Sequence, residues 1–123
     1  MTPAGRRKLH SFTRWLRKTL PGRKPINVRL VTIPRRIKTL AWTEERSDGT
    51  MRIFIERQQA LNAAIYWLEH EWAHQLAGVT GDEQVDHGPH WGHAMSRVEQ
   101  QFLEWLKANQ KKGRKRRKPA VHN

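Results

Sequence analysis

The chain has 123 residues, no cysteine, and 24 lysines and arginines against 11 acidic residues, a formal net charge of +13. That length accommodates one modest core. The missing cysteines exclude disulfides, zinc ribbons and any thiolate-held metal. No apolar run approaches the roughly 20 residues that span a bilayer, and no apolar stretch of signal-peptide length follows the basic N-terminus, so an intracellular protein without a membrane-spanning part is expected.

Basic residues crowd the ends. Residues 1–22 read as a basic N-terminal helix or arm, 23–109 as the folded unit, and 110–123 as a basic tail expected to be disordered in isolation. Within residues 6–20, Leu9, Phe12, Leu16 and Leu20 recur at helical spacing, and Pro21-Gly22 stops the pattern. Ile26 to Ile33 alternates in the manner of a strand and ends at Pro34. Ile37–Thr43 and Met51–Arg57 read as two more strands, joined through Asp48-Gly49 as a hairpin. Gln58–Ala77 carries Leu61, Ala64, Ile65, Leu68, Trp72 and Leu76 at three- and four-residue steps, with Gly78 as the C-cap. Residues 78–90 hold Gly78, Gly81, Gly88 and Pro89 and read as a loop. Trp91–Asn109 reads as a last helix, its stripe made of Met95, Val98, Phe102, Leu103 and Leu106. The order predicts an α+β fold: a small antiparallel three-stranded sheet with helices packed on it.

Inside the long helix stands His70-Glu71-Trp72-Ala73-His74, an H-E-x-x-H pattern. Residues four apart share a helical face, so two imidazoles at this spacing can grip one metal ion, and zinc takes imidazole nitrogens at about 2.0–2.1 Å. Glu71 is then placed to act as base on a water at that ion. Two surface histidines would show the same spacing. A catalytic zinc needs a third protein ligand and an open position. Asp86-His87-Gly88-Pro89-His90-Trp91-Gly92-His93 offers His87, His90 and His93, and Asp86 and Glu83 are acidic rivals.

The H-E-x-x-H of 70–74, with His87-Gly88-Pro89-His90-Trp91 and Met95, resembles the SprT-like metallopeptidases, which include the Spartan and Wss1 proteases. The resemblance covers roughly residues 40–105. It implies a minimal zincin-like domain, one zinc ion held by His70, His74 and His87, and Glu71 as catalytic base. It also implies a peptidase acting on protein substrates bound to DNA. The Cys zinc ribbon of many bacterial members and the long partner-binding tails of Spartan proteins have no counterpart in this sequence.

Lys111, Lys112, Arg114, Lys115, Arg116, Arg117 and Lys118 form a run suited to nucleic-acid phosphates or to a nuclear-localisation signal. An acidic protein or an anionic membrane surface would be drawn by the same charge. The reading is therefore a zinc metallopeptidase working near nucleic acid. The alternative is a non-catalytic zinc-containing protein that binds nucleic acid through its basic arms. Tyr66 and Arg97 are candidates for stabilising an oxyanion. An exposed edge at 37–43 or 51–57 would suit strand addition of a substrate peptide. Of the six tryptophans, Trp67, Trp72, Trp91 and Trp105 are assigned to packing, and Trp15 and Trp42 are more open to a surface role.

Overall fold

A computed structural model describes residues 1–78 and 87–117, the last four through their backbone. Helix α1 (Pro3–Thr19) opens the chain, followed by strands β1 (Ile26–Val31), β2 (Ala41–Glu45) and β3 (Met51–Glu56), then helices α2 (Leu61–Ala77) and α3 (Pro89–Arg117). The α+β expectation holds. Among the described residues no helix is long and apolar enough to cross a membrane.

The basic N-terminal segment is part of the fold rather than a free arm. Thr2 caps α1 by accepting the Gly5 N–H at 3.0 Å, and Pro3 occupies the first turn, where no amide is needed. Leu9, Phe12 and Leu16 are fully buried. They meet Ile53 and Ile55 of β3, Leu68 and Trp72 of α2, and Val98 and Trp105 of α3 in one core. The Trp72 indole donates to the Leu20 carbonyl at 2.9 Å, and the Trp105 indole donates to Ser11 Oγ at 3.1 Å. Phe12 packs edge-on against Phe102, with ring centroids 5.2 Å apart. These contacts fasten α1 across α2 and α3.

The sheet order is β1-β3-β2. The 2–3 hairpin is antiparallel, as expected, and turns through Gly49 at φ 86°. Asp48 Oδ1 accepts the Thr50 amide and hydroxyl at 2.9 and 2.6 Å and fixes that turn. The sheet is mixed, however, not antiparallel throughout: β1 lies parallel to β3, with Val28 opposite Ile53. The chain leaves β1, crosses the end of β3 through residues 32–40, and enters β2 on the far side. This satisfies the crossover that a parallel pair requires. Ile37–Leu40 therefore lies in the crossing rather than in a strand, and Ile37 and Leu40 are exposed.

Gly78 ends α2 in the left-handed region at φ 77°, as its position predicts. Helix α3 starts two residues earlier than the periodicity indicates and continues to Arg117, past the expected end at Asn109. Gln, Lys and Arg are good helix formers, and cations near a helix C-terminus are favoured by its dipole, so the first part of the basic tail extends the helix.

Candidate metal centre

Helix α2 presents His70 and His74 on one face because they are one turn apart. Its other face carries Ala64, Leu68 and Trp72 into the core, so the register of the two histidines is fixed by packing. The start of α3 returns the chain to the same face and delivers His87, just before Pro89. His74 Nε2 lies 3.2 Å from His70 Nε2 and 3.2 Å from His87 Nε2. One ring nitrogen from each of the three lies within 4.8 Å of the others. Imidazole nitrogens around one tetrahedral metal ion stand about 3.3 Å apart, so the three histidines lie close enough to bind a metal ion. His70 and His74 are half-buried and His87 is exposed, which leaves one side open to solvent.

His90 and His93 are exposed on α3 and lie outside this group. Asp86 and Glu83 fall outside the described residues.

Burial, and secondarily the His87 imidazole, holds the His70 pKa below the usual histidine value. A neutral imidazole is the form that binds metal. His70 Nδ1 is buried and has no hydrogen-bond partner among the described residues. Trp91 backs the group: its ring centroid is 4.5 Å from that of His87, 5.1 Å from His70 and 5.7 Å from His74. The Trp91 indole also donates to the His70 carbonyl at 3.3 Å, pinning the start of α3 to α2.

Glu71 is buried beside the histidines, with Oε2 4.0 Å from His70 Nε2. Its other oxygen, Oε1, accepts a hydrogen bond from Thr43 Oγ1 at 2.7 Å. Burial pushes the Glu71 carboxyl upward, and the Thr43 hydrogen bond and the nearby His87 oppose that rise. Nothing in the sequence singles out Thr43. Trp91, part of the His87-Gly88-Pro89-His90-Trp91 motif and expected to pack, is the ring against which the histidines stand. Its nearness to His87 in the sequence was the available signal.

Tyr66 is exposed, with its ring 5.9 Å from that of His70, and Arg97 is exposed on α3. Strand β3 is the central strand, which removes 51–57 as an open edge; β2, carrying Thr43, is the edge beside the site. Lys111 and Lys112 are exposed near the end of α3, Arg114, Lys115, Arg116 and Arg117 follow on its last turns, and Lys118 lies outside the described residues. Comparison with protein-family models, with curated proteins and with solved structures gives no match.

Proposed function

We propose that this protein is a zinc-dependent metallopeptidase of the SprT-like kind, hydrolysing peptide bonds in proteins associated with nucleic acid. One observation carries the reading: beside three convergent histidines, Glu71 has one oxygen held by Thr43 and the other 4.0 Å from His70 Nε2. His70, His74 and His87 would hold the ion. The chemistry zinc supplies is Lewis acidity, which polarises a peptide carbonyl and acidifies water.

Glu71 then acts through Oε2, the oxygen that Thr43 leaves free. It takes a proton as the water oxygen bonds to the carbonyl carbon, and delivers that proton to the departing amine as the C–N bond breaks. The free edge of β2 supplies main-chain groups to align an extended substrate peptide. The net charge of +13 supports the nucleic-acid setting.

The test is zinc content by elemental mass spectrometry, together with cleavage of a basic DNA-binding protein with and without DNA, for wild type and Glu71→Gln. Stoichiometric zinc in both and cleavage by wild type alone is the expected result. Zinc in both with equal or no cleavage would sink the peptidase reading and favour a non-catalytic zinc-containing protein that binds nucleic acid.

A further inference from the structure

The sheet has two faces, and the core uses one. Met51, Ile53 and Ile55 point toward the helices and are buried. By strand alternation the opposite face carries Asn27, Arg29, Arg52, Phe54, Trp42 and Glu44. The cross-strand register orders these side chains into two rows. Arg29 pairs with Phe54, and Phe54 pairs with Trp42; in the next row Asn27 pairs with Arg52, and Arg52 with Glu44.

Two features of this face are open to a ligand. First, Trp42 and Phe54 stack on each other with ring centroids 4.9 Å apart and planes 18° apart, yet both remain partly exposed. Trp42 stands on the edge strand, and among the described residues Phe54 is the only ring it contacts. Among the described residues the side of the indole turned away from Phe54 has no aromatic neighbour. Secondly, Arg52 Nε is buried beside them without a hydrogen-bond partner among the described residues. A desolvated guanidinium N–H with no acceptor costs free energy unless a ligand supplies one.

The local charge points to an anion. All 11 acidic residues of the chain lie between Glu44 and Glu104, but only Glu44 and Glu56 belong to this face. Glu44 accepts the Trp42 indole N–H at 3.4 Å and lies 3.8 Å from the Arg46 guanidinium, and the buried Glu56 carboxylate accepts the backbone N–H groups of Ile33 and Gln58. Arg29 is exposed, and the adjoining crossover loop adds exposed Arg35, Arg36 and Lys38.

We propose that this outer sheet face binds unpaired nucleic acid, with a base stacked on Trp42 to extend the Phe54–Trp42 stack and phosphates held by Arg29, Arg52 and the basic crossover loop. Aromatic rings take any unpaired base by its π-face, and a positive groove follows the backbone without reading sequence. A duplex hides those π-faces in its own stack, so the face selects single strands. Arms made only of Lys and Arg have no such preference. The site is separate from the histidine cluster and does not depend on metal. Strand β2 has the two on opposite sides, with Thr43 toward Glu71 and Trp42 on the other face beside Phe54.

The test measures anisotropy of a labelled oligothymidylate and of a duplex of equal length with the full chain, over a range of salt. Polyglutamate serves as an anionic competitor without bases. Binding is read without cleavage and in the presence of a chelator, so a failed peptidase reading leaves the result interpretable. The expected result is tighter binding of the unpaired strand, lowered roughly tenfold or more by Trp42→Ala with duplex binding unchanged. Oligothymidylate should also quench tryptophan fluorescence in wild type, and less in Trp42→Ala. Arg29→Ala, at an exposed position that leaves the core intact, should weaken unpaired-strand binding and flatten its salt dependence. Equal affinity for both nucleic acids, or unchanged affinity in Arg29→Ala and in a folded Trp42→Ala, would overturn the proposal. So would polyglutamate competing as well as the oligonucleotide, which would make the surface a dock for acidic protein.

Discussion

Thr43 of the edge strand donates a hydrogen bond to Glu71 of the histidine-bearing helix, Oγ1 to Oε1 across 2.7 Å. The contact spans 28 residues of sequence and fixes one carboxylate oxygen, so the other is left to face the histidines. Thr43→Val keeps the shape and removes the donor. If Glu71 is the base, the variant should retain its zinc and lose roughly 10- to 100-fold in kcat/KM, mostly in kcat, because the lost interaction orients the base rather than binding substrate. Thr43→Ser should restore most of the rate. Parallel zinc and rate measurements on the three proteins check this; an unchanged rate in the valine variant would remove Thr43 from the machinery.

The difference between what the sequence reveals here and what it conceals has a physical basis. Helix α2 is legible because Ala64, Leu68 and Trp72 recur with the helical period, and the same geometry makes His70 and His74 a pair. Gly78 announces the end of the helix because few other residues tolerate its φ. His87 is different: its place just before Gly88-Pro89 at the start of the last helix, and the resemblance, favour it, but spacing by itself leaves His90, His93 and two acids as rivals. The return of α3 over α2 separates His87 from His90 and His93. Thr43 is hidden for a related reason. A lone hydroxyl carries no pattern, and its role depends on β2 lying beside α2. The parallel pairing of β1 with β3 is likewise absent from strand alternation, which records the buried face and not the neighbouring strand.

His87 is exposed and contributes nothing to the apolar core, so its loss should separate metal binding from folding. His87→Ala should keep the far-UV circular dichroism of wild type and bind zinc roughly 100-fold more weakly or worse. Trp91→Ala removes the ring behind all three imidazoles and the indole bond to the His70 carbonyl, and should weaken zinc roughly tenfold. Stripping zinc from wild type should lower its melting temperature without unfolding it at room temperature, since the core does not pass through the site. Competition titration with a chromophoric chelator measures the affinities, and global unfolding on chelation would contradict the separation.

Glu69 gives stability a pH dependence of its own. It is buried on α2, and burial, aided by the nearby negative charge of Glu99 on α3, pushes its carboxyl up to about 7 from the ordinary glutamate value of 4.5. Between those values the folded chain binds more protons at this site than the unfolded chain. Stability therefore falls as pH rises from about 4.5 to 7, and the charged carboxylate remains a burden above that. Glu69→Gln removes the burden. In the chelated protein it should raise stability at pH 8 by roughly 1–3 kcal/mol and change it little at pH 4. Urea unfolding at the two pH values tests this. Equal effects of the substitution at both would mean that Glu69 is not charged against its surroundings in the folded state.

Trp72 links the stability of the fold to the geometry of the site. It sits between Glu71 and Ala73, is fully buried, and donates its indole N–H to the Leu20 carbonyl at 2.9 Å. Trp72→Phe should cost about 2–3 kcal/mol, from the space left in the core and from a buried carbonyl stripped of its donor. Trp72→Leu should cost more, because less of the ring's volume is replaced. The loss should appear in the denaturation midpoint with an unchanged slope. Because the same ring fixes how α2 rotates against α1, the phenylalanine variant should also bind zinc more weakly at temperatures where it is still folded. Full zinc affinity in a destabilised Trp72→Phe would show instead that the histidine pair holds its register through α3 alone.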